Sequence, residues 1–171
     1  MGMAGGRRLT DGVIALREIA AGDIPRLYEW RNDPRTRPMF RDTHPLEFES
    51  HCRLVEGYLD HGPRGYWLIV EASDMPVGTI SLYHFSADGR ECEFGRFIIA
   101  TEHRGSGYGR RALALLMTFA ASLGVNLLTC EVLSSNEAAL RLYDSLGFRP
   151  SSHDDSGERS FVLMEAELSG K

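Results

Sequence analysis

Residues 104–111 read RGSGYGRR and lie between two of the most apolar stretches of the chain, FGRFIIA at 94–100 and ALALLMTFAASL at 112–123. Gly105, Gly107 and Gly109 fall on alternate positions. Glycine at that density interrupts any regular element, because each one costs backbone entropy and contributes no side-chain contact. The segment is therefore a loop between a strand and a helix that are both buried. Such a junction aims successive backbone N–H groups, and the positive end of the helix, at one point in space, and that point attracts phosphate. Two familiar phosphate loops are excluded: G-x-x-x-x-G-K-[ST] is absent, and the alternate spacing does not fit G-x-G-x-x-G.

The flanking pattern is that of a single α/β (α+β) domain over residues 1–171, with residues 1–11 as a flexible lead. VIALREI (13–19) alternates like a strand, and GDIPRLYEWRND (22–33) sets Ile24, Leu27, Tyr28 and Arg31 at helical spacing behind an Asp cap. PLEFESHCRLVEGYLD (45–60) suits a second amphipathic helix. GYWLIVEA (65–72), PVGTISLYHF (76–85) and ECEFGRFIIA (91–100) are strands joined by short turns, hence antiparallel neighbours. NLLTCEVL (126–133) follows the helix after the glycines and implies a parallel crossover. SSNEAALRLYDSLGF (134–148) is a capped helix, and RSFVLMEAEL (159–168) closes the chain with FRPS as its partner strand. The expected order is βααβββαβαββ: a mixed, mostly antiparallel sheet of six or seven strands with about four helices on its faces.

Arg104, Gly107 and Gly109 form R-x-x-G-x-G directly after a strand and directly before an apolar helix. This resembles the acetyl-CoA signature of the GNAT superfamily of N-acetyltransferases. Further along, Asn136, Tyr143, Gly147 and Phe148 resemble that superfamily's second signature, again after a strand. The resemblance implies the GNAT fold, a sheet splayed at the cofactor, acetyl-CoA as the cofactor, and direct attack of a neutral amine on the thioester. It implies that the backbone of Gly105, Ser106, Gly107, Tyr108, Gly109 and Arg110 holds the pyrophosphate. The strand edge at Phe97, Ile98 and Ile99 would pair with the pantetheine. Arg104, Arg110 and Arg111 are placed to add charge, and Asn136 to bond the pantetheine arm or to act only as a helix cap. Tyr143 is the candidate general acid toward the departing thiolate. Glu93 is the candidate general base, with Glu91 on the same strand face and a water chain as alternatives.

The acceptor is read from LYEWRNDPRTRPMF (27–40) and His51. These resemble a branch acting on nucleotide-sugar amines, ribosomal-protein N-termini and polyamines, in which Arg31 and His51 would face the acceptor. Leu54 stands where that branch carries a tryptophan. The formal net charge of -5, with no Lys/Arg run longer than two, speaks against a general nucleic-acid surface. An acidic chain suits a cationic acceptor only if acidic groups line the pocket. No apolar run reaches the length of a membrane span, and Cys52, Cys92 and Cys130 suggest neither a disulfide framework nor a metal site. The expected setting is the cytoplasm, with a homodimer through the C-terminal strand as an option. A second function class stays open: an idle GNAT-fold module that binds acyl-CoA as a sensor.

Overall fold

The structure, a computed structural model, describes residues 8–61 and 65–168. Of the expected flexible lead, residues 1–7 lie outside the described residues, whereas Leu9–Thr10 already forms a strand, β1. There follow β2 (Ile14–Glu18), α1 (Ile24–Asn32), α2 (Phe48–His61), β3 (Tyr66–Ala72), β4 (Met75–Tyr83) and β5 (Glu91–Ile99). The second half holds α3 (Tyr108–Ser122), β6 (Leu127–Leu133), α4 (Glu137–Ser145), β7 (Arg149–Asp154) and β8 (Phe161–Glu167). The expected mixed sheet and four helices are present. The sheet has eight strands, in the order β1-β2-β3-β4-β5-β6-β8-β7, where six or seven were expected. The extra one is β1, whose two residues are too few to carry an alternation.

Local chemistry explains the joints. Ser73 and Asp74, with φ of 49° and 60°, make the two-residue turn between β3 and β4. Left-handed geometry at both positions matches the twist of the strands it joins. Asp23 precedes α1, yet its side chain does not cap that helix. It is buried, accepts the Ala20 N–H at 2.9 Å, and is held by Arg17 at 2.7 and 3.0 Å. Asn136 does cap α4, accepting the Ala139 N–H at 3.2 Å.

Helices cover both faces. On one side Leu113, Leu116 and Ala120 of α3 and Tyr143 of α4 pack over Leu68, Ile80, Phe94 and Leu128. On the other, Leu27 of α1 and Val55 of α2 pack over Trp67 and Ile69. Consecutive residues of β3 thus feed opposite cores, as a strand buried on both faces must.

The feature that matters for function is where the sheet comes apart. β5 pairs with β4 as far as Ile99, but with β6 only from Glu91–Leu127 to Glu93–Thr129. β6 stays paired with β8 along its whole length. Beyond Glu93 the two strands separate, and among the described residues no strand pairs with that edge of β5. β5 also carries a bulge: Thr79 faces Ile98 and Ser81 faces Gly95, so one extra residue is accommodated around Arg96, whose φ is 45°.

Candidate active site

The gap between β5 and β6 opens into a cleft of about 850 Å³. Its back wall is the free edge of β5 from Glu93 to Ile99, its far wall is Cys130 to Val132 of β6 with α4 behind, and its end is the glycine loop. Gly105 and Gly107 have φ of 81° and 78°, a left-handed backbone that costs any residue with a Cβ about 1–2 kcal/mol. Gly107 is the N-cap of α3. The helix begins at Tyr108, four residues ahead of the apolar run, so Gly109 and Arg110 belong to its first turn. A Cβ on Gly109 would stand 3.5 Å from Phe97 Cζ and Ile99 Cγ1. The loop, the helix end and the free strand edge therefore face one space.

Most of the expected cofactor residues meet there. Phe97, Ile98, Ile99, Arg104, Gly105, Gly107, Tyr108, Gly109, Arg110 and Asn136 all border the cleft, whereas Ser106 does not. Arg110 also donates to Ser145 of α4. Arg104 donates through Nε to the Ile99 carbonyl at 3.0 Å and through Nη2 to Thr36 at 2.6 Å, so part of its work is to hold the loop. Arg111 turns away from the cleft and pairs with Asp11 at 2.7 Å.

Glu93 and Tyr143 border the same cleft. Both Glu93 oxygens are engaged: Tyr83 donates to Oε1 at 3.2 Å, and His84 Nδ1 lies 3.0 Å from Oε2. Tyr83 reaches across the strand over Gly95, where a Cβ would come within 2.0 Å of its Oη. Glu91, on the same strand, is exposed and outside the cleft. Tyr143 is buried, edge-on to Phe94 at 5.3 Å, and its hydroxyl bonds no described residue. Burial pushes its phenol far above the usual range, so the proton stays on.

Arg31 and His51, expected to face an acceptor, lie elsewhere. His51 is buried between α1 and α2, with Nε2 3.1 Å from the Ile24 carbonyl. Burial lowers its pKa and keeps it neutral. Arg31 lies over the Phe40 ring at 4.0 Å and donates to the Asp42 carbonyl at 2.7 Å, so it shapes the wall from behind. An amphipathic period locates such side chains on a helix but does not say which neighbour covers them.

That wall is the segment 33–46 between α1 and α2, which crosses the cleft mouth. Arg41 reaches Glu131 of β6 at 2.5 and 2.9 Å and Asp154 of β7 at 2.9 Å. Arg159 donates to the carbonyls of Phe40, at 2.7 Å, and Pro38. Thr101 Oγ1 donates to Asp33 at 2.9 Å. None of these contacts has a sequence signal.

The model of the acetyltransferase (GNAT) domain family matches residues 14–149. The chain belongs to the GNAT acetyltransferases. Within that family it is 40% identical over 116 residues to the uncharacterised N-acetyltransferase YycN of Bacillus subtilis, covering 67% of each chain. It is 24% identical over 145 residues to an uncharacterised protein of Methanocaldococcus jannaschii, covering 81% of this chain and only 28% of that longer protein. Among solved structures, a spermidine N-acetyltransferase of Vibrio cholerae bound to CoA and spermine superposes with a TM-score of 0.84 at 20% identity, over 94% of this chain and 98% of that one. The ribosomal alpha-N-protein acetyltransferase RimL, bound to coenzyme A, gives a TM-score of 0.83 at 13% identity over 96% and 100%. At these identities the likeness is one of fold. Among the described residues no helix of this GNAT domain is long and apolar enough to cross a membrane.

Proposed function

We propose that this protein transfers the acetyl group of acetyl-CoA to a primary amine, on a small molecule or a polypeptide N-terminus. One observation carries the reading. A glycine-lined helix end, an unpaired strand edge, a doubly bonded carboxylate and a buried phenol all border one cleft.

Bound there, acetyl-CoA would supply an activated acyl thioester. The chain's own residues do the rest. The amides from Gly105 to Arg110 lie at the positive end of α3 and suit a pyrophosphate, with Arg104 and Arg110 beside them. The edge of β5 near Phe97 and Ile99, where β6 has parted from it, offers backbone groups to an extended amide-bearing arm, as an added strand would, the Ile99 carbonyl apart, which Arg104 holds. Asn136 Oδ1 is used by its own helix, so its amide N–H₂ is the part left to donate. Glu93 takes a proton from the incoming ammonium, and Tyr83 and His84 fix the orientation in which it does so. Tyr143, which borders the same cleft, holds a proton at Oη.

The test is release of free thiol from acetyl-CoA over a panel of amino acids, aminosugars, polyamines and N-terminal peptides. Amine-dependent release supports the reading. Tight binding of acetyl-CoA with no release from any amine would make the protein a sensor and end the proposal.

A further inference from the structure

Arg96 has been given no role above, yet it lies beside Tyr83 and Glu93 and the fold goes to some length to place it. It sits in the β5 bulge with a left-handed backbone, φ 45°, a conformation that glycine would adopt without strain. Its guanidinium lies over the Trp67 ring at 4.7 Å and the Tyr83 ring at 4.9 Å. It borders the cleft and is half-buried, and no described residue forms a hydrogen bond or ion pair with it. A guanidinium that lies on aromatic rings bonds through its edge, and that edge fits a carboxylate through two parallel N–H donors.

The position of Arg96 says what brings the carboxylate. Trp67 belongs to the α1 and α2 face of the sheet, and Tyr83 bonds Glu93. Arg96 is therefore a neighbour of the general base, while the glycine loop lies past the far end of β5. The cleft is not acidic either: Glu131 is paired with Arg41, which leaves Glu93 among Arg35, Arg96, Arg104 and Arg110. A polyamine would find one carboxylate to bind, and that one is needed as the base. Resting on the acetyl-transfer reading, we propose that the acceptor is an aminocarboxylate, a small primary amine whose carboxylate docks on Arg96 while its amine meets Glu93.

The experiment compares matched pairs of acceptors, aminocarboxylates of increasing amine-to-carboxylate spacing and their carboxamides, on the full chain. A charge-assisted paired contact is expected to favour the acid roughly 10- to 100-fold in kcat/KM, chiefly through KM. Arg96→Met, which keeps an apolar stem over the rings, is expected to bring the acid down to the level of the amide, so that the preference between the two disappears. Arg96→Lys should recover part of the preference. Equal rates for acid and amide in the wild type would overturn the proposal, as would an Arg96→Met variant that keeps the wild-type ratio between the two.

A second readout needs neither turnover nor a variant. Calorimetric titration of the CoA-loaded protein with an N-acetyl aminocarboxylate and its carboxamide should show the same order of preference. Equal affinities there overturn the assignment of Arg96. Absence of thiol release with every amine overturns the transfer reading instead.

Discussion

Gly107→Ala separates the two things the glycine loop does. The backbone at Gly107 is left-handed, φ 78°, and a Cβ built there meets no atom of the protein within 4 Å. The substitution therefore costs strain without a clash, about 1–2 kcal/mol. At roughly 2–4 °C per kcal/mol for a domain of this size, the Tm should fall by about 2–8 °C. Against a typical stability of about 5–15 kcal/mol the variant stays folded, so strain alone leaves cofactor affinity untouched. The new methyl, however, stands at the helix cap where an anion has to reach the amides. Loss of one charge-assisted hydrogen bond weakens binding by roughly 10- to 100-fold. Gly124→Ala is the control: the same helix, its other end, φ 91°, and again nothing within 4 Å. Thermal shifts with acetyl-CoA read both effects. At 100 times the wild-type Kd the ligand stabilises wild type by about 2.7 kcal/mol, and a variant bound 100-fold more weakly by only about 0.4 kcal/mol. Gly124→Ala should lose stability and keep the full shift. If Gly107→Ala also keeps the full shift, the loop is not the anion seat.

Other substitutions probe the chemistry. Tyr143→Phe keeps the packing on Phe94 and removes the hydroxyl; turnover should fall on the order of 10²-fold with acetyl-CoA affinity unchanged, and an unaltered kcat would take Tyr143 out of the reaction. Glu93→Gln should lower turnover by roughly 10²–10⁴-fold, with activity recovering as rising pH supplies free amine; an unchanged pH–rate profile would remove Glu93 as base. Arg111→Ala addresses stability. The Ile14 N–H, and next Arg111, hold the Asp11 carboxyl at about 2, below its ordinary 3.8. Such a carboxylate stabilises the fold above about pH 4, and that contribution is lost as the pH falls toward 2. Without Arg111 the acid-induced loss, followed by urea unfolding across that range, should be shallower; identical slopes would contradict the pairing.

What the sequence disclosed was local. Arg104 through Gly109 and Asn136 through Phe148 each form one junction, where capping, glycine geometry and apolar period act over a few residues, and both junctions lie where the pattern puts them. Hidden from it was everything that depends on pairing between distant segments. Arg41 finds Glu131 90 residues away, and Arg159 reaches back 121 residues to Pro38. Tyr83 meets Glu93 only because the β4–β5 register sets them opposite each other. A trace of this was available, since Gly95 inside a strand signals a close approach, here by the Tyr83 ring. The same glycine marks the β5 bulge beside it, but nothing local says which way the bulged Arg96 turns. His51 and Arg31 show the converse limit: a motif and a helical period suggested a ligand-facing role, whereas His51 meets the Ile24 carbonyl of α1 and Arg31 donates to the Asp42 carbonyl of the segment that follows.

If this cleft passes an acetyl group to an amine, each thiol released must be matched by one acetylated amine. The most direct measurement incubates the protein with isotopically labelled acetyl-CoA and an amine, and counts the free thiol formed and the label on the amine nitrogen by mass spectrometry. Equal amounts of both are expected, neither forming without the amine and both suppressed by Glu93→Gln. Thiol released with no label on nitrogen would reveal a hydrolase, and that result, or no amine-dependent thiol at all, would contradict acetyl transfer.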